Sequence, residues 1–115
     1  MGKYVIKPGD RPAYEPPGHH GTINYPLVDR ETGAKHIEVA LGVIESAGAA
    51  HAHVHEKEEQ AMYILSGKVM IDVEGEKEEA GPGDFVFFPQ GKTHEIVTLE
   101  TPYRVLVIYA PPRET

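Results

Sequence analysis

Apolar and polar residues alternate along this chain at a spacing of two, in short bursts cut by glycine, proline and acidic residues. Bursts rich in β-branched and aromatic residues fall at 36–45, 60–65, 68–74, 84–88, 95–99 and 103–110, and each reads as a strand. In the first third, Pro8, Pro12, Pro16, Pro17, Gly18, Gly21 and Pro26 break any helical period, leaving strand pieces at Val5-Ile6 and 23–28. The helix formers Glu56-Lys57-Glu58-Glu59-Gln60 are too few for more than one turn. The pattern predicts an all-β domain, a small barrel or sandwich, with an extended N-terminal arm over 1–35 and the barrel over 36–115.

Parity assigns the faces. Val69, Ile71 and Val73 oppose Met70 and Asp72; Phe85 and Phe87 oppose Asp84, Val86 and Phe88; Tyr103, Val105, Val107 and Tyr109 oppose Arg104, Leu106 and Ile108. Both faces of the last run are apolar. One therefore meets the barrel interior, and the other a partner sheet, a subunit or the arm. Met62, Tyr63, Ile64, Phe88, Ile96, Tyr103 and Val105 are core residues that could also line a pocket.

A chain of 115 residues suits one domain with a core of its own. The absence of cysteine removes disulfides, thiolate metal sites and cysteine nucleophiles together. A formal net charge of -7 argues against a nucleic-acid partner. No apolar run is long enough to span a bilayer, and residues 1–10 lack the apolar stretch of a signal peptide, so the expectation is a soluble, cytoplasmic protein.

Histidine supplies the candidate chemistry. His51, His53 and His55 alternate in one run, and His94 follows a turn at Pro89-Gln90-Gly91-Lys92-Thr93. Side chains two apart on a strand share a face, with Cα atoms about 6–7 Å apart, so His53 and His55 can converge on one divalent ion. A third ligand must come from another strand, and His94 is the natural candidate. His51 shares their parity and is a ligand, a base beside the site or a surface residue. His19 and His20 read as exposed loop histidines, or as an acid or base if the arm folds over the barrel mouth; His36 reads as surface. The charge runs 56–59 and 74–79 read as solvated turns, the second a hairpin loop around Gly75.

These residues resemble the two motifs of the cupins. His53-Val54-His55, four residues, Gln60, six residues and Gly67 is similar to the first; Gly83, five residues, Pro89, one residue, Gly91, two residues and His94 is similar to the second. The resemblance runs from about Ile37 to Pro111. It implies a small jelly roll, or double-stranded β-helix barrel, with a divalent transition metal (Mn, Fe, Co, Ni, Cu or Zn) held by His53, His55, Gln60 and His94. It also implies a homodimer that pairs sheets and exchanges N-terminal strands.

Two positions depart from the family pattern: its glutamate ligand falls on Gln60, and the asparagine that often ends the second motif falls on Thr98. A register shifted by one would make Glu59 the ligand but would put it on the face of Ala61, Tyr63 and Leu65. Three imidazoles and an amide leave the full double charge on the ion, which favours an anionic or enolisable oxygen ligand. The expected function is that of a metalloenzyme (oxygenase, isomerase or lyase) acting on a small anionic or chelating substrate. The alternative is a non-catalytic binding or sensing module, since no residue stands out as a general base.

Overall fold

A computed structural model describes residues 4–16, 21–46 and 49–113, with residues 49–54 described by their backbone alone. Its strands are β1 (Thr22–Val28), β2 (Glu38–Ile44), β3 (Ala49–Val54), β4 (Glu59–Val73), β5 (Glu76–Ala80), β6 (Phe85–Phe88) and β7 (Thr93–Ala110), joined by antiparallel ladders. Two long strands, β4 and β7, pair along their whole length, from Glu59 opposite Ala110 to Val73 opposite His94. Irregular register between Ile64 and Val69 bends this ribbon double. One half carries β1, β2 and β6; the other carries β3 and β5. The two halves close face to face as a jelly roll.

The corner of the bend depends on Gly67. Its φ of 80° is left-handed, and a Cβ there would lie 2.6 Å from the carbonyl oxygen of Glu100 and 2.7 Å from Cα of Tyr103. Only glycine has both the backbone freedom and the missing side chain that this approach requires. Ile64 and Val69 flank it, both fully buried.

Alternation places the core as the sequence predicts. Val69, Ile71, Val86, Phe88, Tyr103, Val105, Val107 and Tyr109 are buried, while Phe85 and Phe87 are exposed. Tyr63 and Leu65 point away from the core and Met62 and Ile64 toward it, so Tyr63 is not an interior residue.

Several expectations need correction. Runs read as separate strands are continuous: 60–65 with 68–74 in β4, and 95–99 with 103–110 in β7, because a bulged corner bends a ladder without ending it. The charge run 74–79 is a turn only at Glu74-Gly75; Glu76 to Ala80 form β5, whose charged side chains are exposed on an edge strand. Val5-Ile6 forms no strand, whereas 23–28 lies within β1, paired to β2.

The described part of the arm is tied down beside β1. Tyr14 bridges Asn24, and the Arg11 guanidinium clasps the Asp29 carboxylate at 2.9 Å and Glu31 at 3.0 Å. Asp29 also caps the single turn Arg30–Thr32 by accepting from the Glu31 amide. Among the described residues, no helix is long and apolar enough to cross a membrane.

Candidate metal centre

Opposed residues of an antiparallel ladder share a face, so the register writes the floor of the site directly. Glu38 of β2, Tyr109 of β7, Gln60 of β4 and Phe88 of β6 form one inward row across four strands. The other half of the fold contributes His94, opposite Val73. His94 is 2% exposed and stacks on Phe88 with ring centroids 4.0 Å apart and planes at 5°. His55, just past the end of β3, sets its ring 5.3 Å from that of His94 and 5.3 Å, edge-on, from that of Tyr109. Gln60 therefore sits in the row between the two rings, Phe88 and Tyr109, that the imidazoles touch.

The turn before His94 is anchored to His55 itself. The Gly91 backbone amide donates to the His55 carbonyl at 2.8 Å, and the Gln90 side-chain Nε2 donates to the Glu56 carbonyl at 2.6 Å. These bonds fix where β7 sets out, and hence where His94 enters. Each imidazole turns Nδ1 toward an acceptor: Nδ1 of His94 lies 3.4 Å from the Lys92 carbonyl, and Nδ1 of His55 lies 3.4 Å from the Glu58 carboxylate. An acceptor at Nδ1 favours the tautomer that keeps Nε2 as a lone-pair donor, the arrangement common in metal-binding histidines.

Gln60 is 5% exposed, and its Oε1 is buried without a hydrogen-bond partner among the described residues. Leaving an amide oxygen in that state costs about 1–3 kcal/mol. Glu59, the other candidate in this strand, is exposed on the opposite face. Imidazole nitrogens and an amide oxygen are donors that suit a divalent transition metal, so the residues fit the group that the cupin motifs imply. Among the described residues, no cluster of three or more His, Cys, Asp and Glu side chains gathers. The side chains of His51 and His53 lie outside the described residues, although the β3–β7 register sets the backbone of His53 opposite His94. His19 and His20 also lie outside them, and His36 is exposed.

Three neighbours of the site carry little signal in the sequence. Glu58, read as part of a solvated run, has a side chain only 12% exposed because it turns in toward His55; its i,i+3 spacing from His55 is the clue that was available. Tyr109, read as core, touches His55 with one part of its ring and carries the Arg113 guanidinium 4.1 Å over its centroid. Burial pushes its hydroxyl up to about 12, with Glu38, Tyr14 and Glu58 adding to the rise and Arg113 opposing it. Arg113 in turn grips Glu38, with Nη2 2.7 Å from the carboxylate, across a separation in sequence that no local pattern reveals.

Glu38 and Arg113 also line a cavity of about 730 Å³, with Arg11, Tyr14, Pro26, Ala40 and Pro112 among its other lining residues. Two of its cations are committed to neighbouring carboxylates, Arg11 to Asp29 and Glu31, Arg113 to Glu38. The remaining wall is largely apolar.

Antiparallel ladders folded back at a bulged corner and closed face to face define a jelly-roll barrel. The Cupin domain model matches residues 40–109, and the chain belongs to the cupin family. The polyketide cyclase RemF of Streptomyces resistomycificus is similar in structure, with a TM-score of 0.78 and 30% identity, covering 96% of this chain and 80% of that one. KdgF of a Halomonas species superposes with a TM-score of 0.80 at 21% identity, covering 94% of each chain. A curated relative, the uncharacterized protein SCO3923 of Streptomyces coelicolor, is 26% identical over 78 residues, 68% of this chain and 73% of the relative.

Proposed function

We propose that this cupin binds one divalent transition metal through His53, His55, Gln60 and His94 and acts as a metal-dependent enzyme on a small, chelating oxygen substrate. The observation that carries the reading is the buried, unpartnered Oε1 of Gln60 in the row between two rings touched by His55 and His94. Bound there, the ion would supply Lewis acidity undiminished by any anionic ligand, suited to polarising a carbonyl or hydroxyl oxygen. Among oxygenase, isomerase and lyase chemistries, similarity to a polyketide cyclase at 30% identity favours the non-redox members and an enolisable substrate such as a β-diketone over a chelating hydroxy acid.

The chain's own residues divide the remaining work. Lys92 and Glu58 orient the imidazoles through Nδ1. Phe88 and Tyr109 exclude water from the metal-facing side. The cavity of about 730 Å³ that Glu38 and Arg113 line is of a size that holds small organic ligands and has room for the substrate's body. The second reading is a binding module: Tyr109, the hydroxyl-bearing residue beside His55, is held in its protonated form by burial and offers no base.

Elemental analysis tests the site. The wild type and His36→Ala should carry near-stoichiometric metal, and His53→Ala and His94→Ala should lose most of it. Gln60→Glu should keep the ion while weakening anionic ligands. Equal metal in all five proteins overturns the assignment. Metal bound normally, with no turnover of β-diketones or hydroxy acids, selects the binding module.

A further inference from the structure

Tyr109 stands between the candidate metal centre and the cavity. The His55 ring meets it edge-on at 5.3 Å, and the Arg113 guanidinium lies 4.1 Å over its centroid. Arg113 lines the cavity together with Glu38 and Tyr14. A ligand that touches Arg113 there is one ring away from an imidazole of the centre. Register gives the span. Glu38 and Gln60 both lie opposite Tyr109, on strands two apart, so at about 4.8 Å per strand roughly 10 Å of backbone separates them.

The donors of Arg113 are unevenly used. Its backbone amide, Nε and Nη2 all donate to the Glu38 carboxylate, at 2.8, 3.3 and 2.7 Å, and Nη2 also reaches the Tyr14 hydroxyl at 3.4 Å. Its Nη1 donates to nothing among the described residues. Glu38 and the Tyr109 ring hold the guanidinium plane in place, so Nη1 is a fixed donor with two protons to give. The Tyr14 hydroxyl accepts from Nη2 and keeps its own proton for a second donation.

Charge decides which kind of oxygen these donors take. Glu38 already neutralises Arg113, and a ligand carboxylate at Nη1 would sit beside the Glu38 carboxylate. Three guanidinium groups and three carboxylates share the cavity lining, with Arg11 committed to Asp29 and Glu31. Arg30 is exposed, where a charge attracts weakly. An uncharged carbonyl or phenol oxygen accepts from Nη1 and meets no like charge. We infer, resting on the metal-dependent reading above, that Arg113 and Tyr14 form a second binding point that selects an uncharged, extended β-dicarbonyl substrate. Its enolisable oxygens reach the ion, and a carbonyl or phenol oxygen at its far end accepts from Arg113 and Tyr14. Pro26, Ala40 and Pro112 in the same lining suit an apolar, ring-bearing body.

The test is calorimetric titration of the metal-loaded full chain with acetylacetone, benzoylacetone, and the para-hydroxy and para-carboxy derivatives of benzoylacetone. The para-hydroxy compound should bind about tenfold more tightly than benzoylacetone, and the para-carboxy compound no more tightly. Arg113→Lys, which keeps the charge and loses Nη1, should bring the hydroxy-to-parent ratio of affinities close to one, and Tyr14→Phe should lower it about threefold. Glu38→Gln leaves the guanidinium charge unmet, so the para-carboxy compound should now gain about tenfold, a reversal that a merely structural role for Glu38 would not produce. Ratios between probes do not depend on how much of a variant is folded. A wild type that binds the para-hydroxy compound and its parent equally overturns the second binding point, as does a ratio that survives Arg113→Lys. Acetylacetone that binds the loaded and the metal-stripped protein equally overturns the metal-dependent reading itself, and the second point with it. Acetylacetone that binds only the loaded protein, with no gain from the hydroxyl, overturns the second point alone.

Discussion

Tyr103 and Tyr109 both face the interior from the same half of β7, and their surroundings differ. Tyr103 stands at the corner beside Gly67, 3% exposed, its hydroxyl without a partner and held above the ordinary phenol range by burial. Tyr109, at the other end, is nearly as buried but is surrounded by His55, Arg113 and Glu38. The corner end is specified by backbone clearance and apolar packing. The far end is specified by groups whose polar atoms need partners, which is where binding chemistry usually concentrates.

The largest effect that would break this contrast is at the corner. Gly67→Ala should destabilise the fold by about 3 kcal/mol or more, because the added carbon meets backbone on three sides at a left-handed φ. Urea denaturation with an unchanged midpoint would show that the corner tolerates repacking. Gly91→Ala should cost less, because Gly91 shares the left-handed φ, at 79°, but a Cβ there meets nothing within 4 Å.

Alkaline titration probes the tyrosines together. A phenol raised from 10 to about 12 binds its proton more tightly in the folded state, so the associated stability is complete below pH 10 and is lost as pH rises toward 12. For Tyr109 this amounts to about 2–3 kcal/mol, at about 1.4 kcal/mol per unit. Tyr109→Phe should flatten the fall in denaturation free energy between pH 10 and 12. An equally steep fall in the variant would remove Tyr109 as its source.

Glu58→Gln should weaken metal binding by about tenfold in a chelator competition while leaving stability nearly unchanged, since it alters only the group that orients His55. Unchanged affinity would return Glu58 to the solvated turn that its sequence suggests.

The smallest effects separate the two ends most sharply. Gln60, Thr98 and Tyr103 each bury an oxygen without a partner. Thr98→Val and Tyr103→Phe should each stabilise the metal-free protein by up to about 1 kcal/mol, with metal content unaltered. Gln60→Leu should gain a similar amount and lose the ion. If all three variants keep their metal, Gln60 is not a ligand.

Period-two alternation fixes the faces of β2, β4, β6 and β7 and nearly every core residue, because each strand buries one side and burial selects side chains locally. The same logic puts Gln60 rather than Glu59 on the inner face. The spacing of the histidines and glycines identifies the family. The continuity of β4 and β7 across the corner, by contrast, depends on ladder partners far apart in sequence. The same is true of the row from Glu38 to Phe88, the grip of Arg113 on Glu38, and the inward turn of Glu58. Alternation states which side of a strand is apolar; only closure of the barrel decides which of two apolar sides becomes the interior and which stays outside.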